Sequence, residues 1–242
     1  MHMADALLSP AVGGTMWAVT AGVTAYSAKK LKESGDDPKV PLMGVLGAFI
    51  FAAQMINISI PATGSSGHIG GGMILAILLG PYAAFIVLAS VLSVQALFFA
   101  DGGLLALGCN IFNLAFFPCF LAYPLIYRPI AGRNPSNLKI LVGSVVSVVA
   151  ALQLGAFSVV LETLASGITD LPFKTFLLLM QPIHLAIGLV EGVITAAVVS
   201  YVWKARPAVI EAVQGDAPSG VVHLKKVIVF FVAAAVITGG IL

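Results

Sequence analysis

Charged side chains are scarce in this sequence of 242 residues. Twelve Lys or Arg and ten Asp or Glu make up 9% of the chain, whereas 60% of the residues are hydrophobic and the mean hydropathy is +1.06. This composition excludes an ordinary soluble globular protein and indicates a polytopic membrane protein. The formal net charge is only +2, so the chain lacks the broad basic surface that nucleic-acid binding requires. We therefore expect a lipid bilayer, and no nucleic acid, around this chain.

The sequence also lacks the motifs of common enzymes. Cys109 and Cys119 are the only cysteines, and their spacing matches no zinc or redox motif. No Walker motif, nucleophile elbow or zinc-protease motif is present, so the chain has no visible route to ATP hydrolysis. We expect binding without catalysis and no organic cofactor. A membrane enzyme would need paired acidic or nucleophilic groups within spans, and Glu191 with His184 is the one candidate pair.

The N-terminal ten residues, MHMADALLSP, carry no Lys or Arg, unlike the basic start of a secretory signal peptide. We therefore expect the mature chain to begin at Met1, because a bulky second residue such as His2 protects Met1 from removal. The α-amine, the His2 backbone nitrogen and the His2 imidazole can then close fused chelate rings on one metal ion. Such nitrogen donors favour Ni(II) or Cu(II), and the lack of a Cys or Met cluster argues against Cu(I). Most chain termini are frayed and solvated, so the dipeptide alone does not establish a site.

Apolar runs recur along the chain and predict an all-α bundle of membrane-spanning helices. The runs cover residues 11–27, 41–60, 82–100, 104–127, 140–161 and 174–204, with two further runs at 73–79 and 224–242. We predict seven or eight spans, depending on whether both of the last two runs cross. The whole chain, 1–242, is interpreted as one transmembrane domain. Its parts are a metal-binding segment (1–10), the bundle (11–206), a cytoplasmic polar segment (207–223) and an apolar segment (224–242).

Basic residues cluster at the ends of these runs and predict the orientation of the bundle. Cytoplasmic ends of membrane helices are enriched in Lys and Arg. The clusters are Lys29 to Lys39, Arg128 to Lys139, and Lys204, Arg206, Lys225 and Lys226, with Lys174 as an exception. Placing these clusters on the cytoplasmic side of a prokaryotic inner (plasma) membrane puts the N-terminus outside. Residues 61–72 then lie on the same outer side as Met1 and His2.

The stretch 61–72, PATGSSGHIGGG, encloses His68 in glycines. It has no Lys followed by Ser or Thr, so it is not a phosphate-binding loop. One interpretation is a flexible loop with an incidental histidine. The other is that the glycines let the backbone pack closely beneath a buried site and present His68 to it. In the second case the His68 imidazole supplies a fourth nitrogen to the terminal chelate.

A few polar side chains interrupt the predicted spans. Ligating imidazoles usually donate their second nitrogen to such groups. The candidates for supporting the metal ligands are Gln54 with Asn57 on one helical face, Asn110 with Asn113 on another, and His184 with Glu191, which recur with Gln181 and Gly188. The favoured alternative for the last pair is structural, with Glu191 and His184 satisfying each other in the bundle. Asp101, in the sequence ADGG, is predicted to be a helix-terminus or turn residue and not a ligand, and Asp5 could tether the terminus or supply charge to it.

Four stretches resemble the CbiM/NikM family in the same order. They are MHMADALLSP at the start, FAAQMINISIPATGSSGHIGGG (Phe51 to Gly72), QALFFADGGLLALGCNIFN (Gln95 to Asn113) and QPIHLAIGLVEG (Gln181 to Gly192). Members of this family are the membrane-embedded substrate-capture (S) components of energy-coupling factor (ECF) transporters for cobalt and nickel. In the family the metal is held by the N-terminal amine, the backbone and imidazole nitrogens of the second residue, and a loop histidine. The matching positions here are Met1, His2 and His68.

The resemblance implies the fold, the cargo and the partners. The fold is the six-helix core of an S component plus an extra N-terminal helix. The cargo is Ni(II), with Co(II) as the alternative, taken from outside. The partners are a transmembrane coupling protein (T component), a pair of cytoplasmic ATPases (A components) and, in many systems, a small accessory membrane protein.

A stand-alone secondary metal transporter remains the alternative from another class. It would need an internal repeat and broken helices near the membrane midplane. The sequence shows no convincing internal repeat, although the short run before Pro81 is a partial match. Dependence of transport on partner ATPases separates the two hypotheses.

Overall fold

The structure is a computed structural model, and it describes residues 2–35, 39–61 and 63–215. Helices dominate it, which confirms the predicted all-α class. The helices are α1 (Pro10–Ser34), α2 (Val40–Gln54), α3 (Gly72–Leu79), α4 (Pro81–Phe99), α5 (Leu107–Ala131), α6 (Asn137–Ser166), α7 (Phe173–Ala205) and α8 (Pro207–Gly215), preceded by one 3₁₀ turn at Asp5–Leu7. A short antiparallel hairpin joins α2 to α3, with β1 at Ile58–Ile60 and β2 at Ser65–Gly67. The apolar run 224–242 lies outside the described residues.

Four of these helices are long and apolar enough to cross a membrane: α4, α5, α6 and α7. Helix α2 is apolar but has only 15 residues, and α3 has eight. Large apolar side chains such as Leu97, Phe98 and Val190 lie exposed on the outside of the bundle, as they do where a helix faces lipid. A polytopic membrane protein is therefore confirmed, whereas the count of seven or eight spans stays a prediction.

The start of α1 separates the N-terminal segment from the bundle. The Ser9 side-chain oxygen accepts a hydrogen bond from the Val12 N–H, and Pro10 occupies the first helical position. Both features are typical of a helix N-terminus. Residues 2–8 are consequently free to follow a separate course across one end of the bundle.

The second predicted span is shorter than the sequence indicates. We expected a helix over 41–60 with Gln54 and Asn57 on one face, but α2 ends at Gln54 and Asn57 follows it outside any helix. The β-branched Ile58 and Ile60 pair instead with Gly67 and Ser65 in the hairpin. Cross-strand pairing outweighs helix propagation here, because β-branched residues lose little side-chain freedom in a strand.

Helix α5 changes its winding along its length. It is α-helical over Leu107–Ile111, π-helical over Phe112–Tyr127 and α-helical again over Arg128–Ala131. Pro118 and Pro124 lie inside the π-helical part. Proline has no N–H to donate, and its ring clashes with the carbonyl of the preceding turn; the wider turn relieves the clash.

Glycines allow close backbone contact at two helix pairs. Helix α7 approaches α6 where a Cβ on Gly192 would lie 2.7 Å from the Val145 Cα. Helix α1 approaches α5 where a Cβ on Gly108 would lie 2.6 Å from the backbone nitrogen of Trp17. The Thr20 hydroxyl donates a hydrogen bond of 2.8 Å to the Gly108 carbonyl. Small residues at such crossings are the usual means by which membrane helices associate.

The contact at Gly108 yields a test of how α1 is held. Gly108→Val places side-chain atoms against the α1 backbone, so we expect about 1–3 kcal/mol of destabilisation, as for overpacked cores. Thermal unfolding in detergent measures the loss. Gly22→Ala is the matched control, because a Cβ at Gly22 meets no atom within 4 Å among the described residues. Equal stability of the Gly108→Val variant and the wild type would contradict the packing described.

Candidate metal centre

The N-terminal segment packs as an extended strand between the hairpin and the loop that joins α4 to α5. On the hairpin side, Met3 forms a bridge with Ser65, and the His2 carbonyl accepts the Ser66 N–H at 3.1 Å. On the other side, the Met3 carbonyl accepts the Gly103 N–H at 3.0 Å. Backbone groups of His2 and Met3 are thus paired on both edges, as buried polar groups must be.

Side chains reinforce this pairing. The Asn110 amide oxygen accepts the Met3 N–H at 2.8 Å, and the Met3 side chain is completely buried. The Ser65 hydroxyl donates to the His2 carbonyl at 2.9 Å. One Asp5 carboxylate oxygen accepts the Ala106 N–H at 2.9 Å, so Asp5 tethers the segment as the sequence suggested. The described part of the N-terminus is therefore ordered by specific bonds, unlike a frayed and solvated end.

Two imidazoles meet where this segment crosses the glycine-rich loop. The rings of His2 and His68 lie with their centroids 4.5 Å apart, and each residue is only 3% exposed. The Nδ1 of His68 donates a hydrogen bond of 2.8 Å to the Ile69 carbonyl, which leaves the lone pair on Nε2. Within the described residues, the Nε2 atoms of both histidines are buried without a hydrogen-bond partner. An unpaired buried nitrogen is costly in the absence of a ligand, and the His68 Nε2, which carries the lone pair, suits metal coordination.

Asp101 is the residue whose role the sequence did not reveal. Its Oδ1 accepts a hydrogen bond of 3.0 Å from the His2 Nδ1, although the two residues are 99 positions apart. Its Oδ2 accepts a longer bond of 3.4 Å from the Asn57 amide. The preceding Ala100 has a left-handed backbone, φ 51°, and ends α4, so the chain turns toward His2 at this point. The ADGG turn was visible in the sequence, but its distant partner was not.

Burial sets the charges of these groups. It lowers the pKa of His2 below its ordinary value, although the hydrogen bond with Asp101 raises it in part. Burial lowers the pKa of His68 much further. The hydrogen bond from His2 lowers the pKa of Asp101. Near pH 7 both imidazoles are therefore neutral, which is the form that binds metals, and Asp101 is ionised.

The loop that follows His68 is held by two of the predicted supporting residues. The Gln54 amide donates to the Gly70 carbonyl at 2.8 Å, and Gln95 donates in turn to the Gln54 side-chain oxygen at 3.0 Å. The Glu191 carboxylate accepts the N–H groups of Gly70 and Gly71. The glycine-rich stretch is consequently a packed support for His68, which favours the second of the two interpretations given above.

The expected pairing of Glu191 with His184 is wrong. Glu191 bonds to the loop backbone, whereas the His184 Nδ1 donates to the Met180 carbonyl of its own helix at 2.8 Å. The two side chains are seven positions apart on α7 and have separate partners. The loop offers Glu191 two N–H donors at once, which a single imidazole cannot match.

Asn113 lies next to the Met3 side chain and bonds to Glu162, not to the glycine-rich loop. Its amide donates to the Glu162 carboxylate at 2.7 Å and lies 4.0 Å from the Met3 sulfur. Glu162 was not among the sequence candidates, because the predicted apolar run 140–161 ends just before it. Cys109 and Cys119 are buried and form no disulfide.

Side chains alone do not complete a coordination sphere in the described part of the protein. No group of three or more His, Cys, Asp or Glu side chains there could hold a metal ion. The remaining donors that the sequence offers are the His2 backbone nitrogen and the amine of Met1, and Met1 lies outside the described residues. The structure thus brings the rings of His2 and His68 together.

The bond between His2 and Asp101 yields a prediction for the metal-free protein. Asp101→Asn removes the negative charge that stabilises the imidazolium form, so we expect the pKa of His2 to fall further. NMR titration of the imidazole resonances measures the change. Asp170→Asn, at an exposed position, is the control and should leave His2 unaffected. An unchanged or higher pKa of His2 in the Asp101→Asn variant would show that the bond is absent in solution.

The chain is similar to known metal transport proteins. The family model of CbiM, described as the cobalt uptake substrate-specific transmembrane region, matches residues 2–209. A putative fused nickel transport protein of Archaeoglobus fulgidus is 39% identical over 87% of this chain and 68% of its own length. A putative metal transport protein of Haloquadratum walsbyi is 38% identical over 86% of this chain and 92% of its own length.

A solved structure is similar as well. The crystal structure of a truncated transition metal transporter superposes with a TM-score of 0.75 at 36% identity, covering 85% of this chain and 99% of that one. A family match over more than half of the chain and relatives above 30% identity lead to one conclusion. This chain belongs to the CbiM family, whose model describes the substrate-specific transmembrane region of cobalt uptake.

Proposed function

We propose that this chain is the substrate-capture component of an ATP-driven nickel importer and that it binds Ni(II) through four nitrogens. The donors are the Met1 amine, the backbone nitrogen and imidazole of His2, and the imidazole of His68. The observation that supports this most is the buried contact between the His2 and His68 rings, with centroids 4.5 Å apart. One neutral imidazole on an ordered N-terminal segment and a second on a packed loop have no structural purpose that apolar side chains would not serve better.

The donor set favours nickel. A deprotonated backbone nitrogen beside an amine and two imidazoles is a strong-field, all-nitrogen set, which suits planar Ni(II). The Archaeoglobus relative is named as a nickel transport protein, whereas a 29% identical relative from Sorangium cellulosum is named as a cobalt transport protein. Co(II) is therefore the second candidate, supported by the family description itself.

Capture requires an exchange of partners at His2. The six-membered chelate ring from the His2 backbone nitrogen closes through Nδ1, which can bind a metal only when the proton of the neutral imidazole lies on Nε2. The same Nδ1 donates to Asp101 in the structure. Binding therefore replaces the hydrogen bond to Asp101 with a metal bond, either by a shift of the ring or by a turn of the carboxylate.

Energy for import comes from partner proteins in this proposal. The sequence carries no nucleotide-binding motif, so a transmembrane coupling protein and a pair of cytoplasmic ATPases supply the driving force. A small accessory membrane protein completes many such systems. The N-terminus lies outside the prokaryotic inner membrane, and the basic clusters lie inside. Metal uptake that persists without the ATPases would favour a stand-alone transporter instead.

The terminal amine is tested by adding residues before Met1. A short extension turns the amine into an amide and blocks the chelate, so we expect nickel affinity to fall at least about 100-fold, while circular dichroism and thermal unfolding stay unchanged. Isothermal titration in detergent measures the affinity. His68→Ala should weaken binding less, because the three donors of Met1 and His2 that share the chelate rings remain.

The control for the histidine variant is His184→Gln, which changes a buried imidazole that bonds within α7. We expect it to retain nickel affinity. Equal affinity of the extended chain and the native chain would exclude the terminal chelate and direct attention to His68 and His184.

Proton release gives an independent prediction. An α-amine has a pKa of about 8, so it is largely protonated at pH 7, and a ligating backbone amide also loses its proton. Burial lowers the pKa of both imidazoles, so they are already neutral and release none. We therefore expect about two protons per nickel ion at pH 7, and affinity that falls as the pH is lowered. Titration calorimetry in buffers of different ionisation enthalpy counts them, and a count near zero would contradict the chelate.

A further inference from the structure

A buried carboxylate on α7 contacts the loop that carries His68. Glu191 is 1% exposed, and its two oxygens accept the N–H groups of Gly70 and Gly71 at 2.6 and 2.8 Å. Both oxygens serve as acceptors, and both distances lie at the short end of the range for N–H···O hydrogen bonds. Glu191 is therefore bonded to two successive peptide groups within three residues of the histidine.

One peptide group connects Glu191 to the imidazole. The Gly70 N–H that Glu191 accepts and the Ile69 carbonyl that receives the His68 Nδ1–H belong to the same planar unit. Fixing that unit at its N–H end also fixes its carbonyl end. The orientation of this carbonyl holds the proton of His68 on Nδ1 and so keeps the lone pair on Nε2.

The opposite side of the loop is fixed as well. The Gly70 carbonyl accepts the Gln54 amide from α2, and Gly71 adopts a left-handed backbone with φ 73° against Ile50. A Cβ on Gly71 would lie 2.6 Å from an Ile50 side-chain atom. The loop is thus clamped between α2 and α7, and the Ile69–Gly70 peptide has little freedom to rotate.

We propose that Glu191 is a positioning residue of the metal centre, acting on His68 through the Ile69–Gly70 peptide group without touching the ion. This inference rests on the proposed role of His68 as a nickel ligand. A carboxylate that accepts the N–H end of the peptide polarises it and makes its carbonyl a better acceptor. The His68 Nε2 becomes a more basic donor, as it does when a carboxylate supports a ligating histidine directly.

The test compares two buried carboxylates in a double-mutant cycle. Glu191→Gln keeps the size of the side chain but offers one acceptor oxygen where two N–H groups point. Glu162→Gln is the matched control, because Glu162 is 7% exposed and bonds to Asn113 and Ser158, away from the loop. Nickel affinity of each variant is measured on the full chain in detergent, in the native and in the His68→Ala background.

We expect Glu191→Gln to weaken nickel binding about 10–100-fold in the native background and to add nothing in the His68→Ala background. We expect Glu162→Gln to change affinity little in either. Nitrogen-15 NMR of the imidazole should show that His68 loses its preference for the Nδ1–H tautomer in Glu191→Gln. Glu191→Asp, which keeps both carboxylate oxygens, should retain that tautomer and serves if the glutamine variant does not fold.

The outcomes separate this inference from the proposed function. Equal loss of affinity from Glu191→Gln in both backgrounds indicates a general structural effect and overturns the positioning role. An effect of His68→Ala without any effect of Glu191→Gln also overturns it and leaves His68 as a ligand. If His68→Ala itself leaves nickel affinity unchanged, the proposed donor set fails and the positioning role fails with it.

Discussion

The proposed metal centre depends on the burial of an N-terminal backbone, which must find hydrogen-bond partners where water is excluded. Residues 2–4 meet this requirement by lying as a strand beside Ser65–Gly67 and by accepting the Gly103 N–H from the other side. Asn110 supplies the remaining partner for Met3. An N-terminus held this firmly brings the His2 ring to a defined place. The hairpin therefore has two roles, because it pairs with the terminus and leads directly into His68.

The same requirement explains the polar residues in the bundle below. Gln54, Gln95 and Glu191 come from three different helices. Gln54 and Glu191 bond to the loop, and Gln95 bonds to Gln54. Each would be costly in an apolar bundle without its partner. They form a layer of hydrogen bonds under the two imidazoles, while the surfaces further out remain apolar.

Much of this arrangement could be predicted from the sequence. Hydropathy located α4 to α7 to within a few residues at most ends, and the positions of His2 and His68 on one side of the bundle followed from the basic clusters. The errors have a common cause. The end of α2 and the bonds of Asp101 and Glu191 depend on partners about 100 residues away or on a hairpin that no local pattern marks. The predicted pairing of Glu191 with His184 rests on their spacing along one helix, but the backbone of Gly71, 120 residues away, is the better partner for Glu191.

X-ray absorption at the nickel edge of the metal-loaded chain tests the central claim most directly. The proposed donor set predicts a four-coordinate, planar site with nitrogen ligands only and the multiple-scattering signature of two imidazoles. Removal of the His68 ring should leave the signature of one. A six-coordinate site rich in oxygen ligands, or a spectrum that contains sulfur, would contradict capture by the N-terminal chelate and the loop histidine.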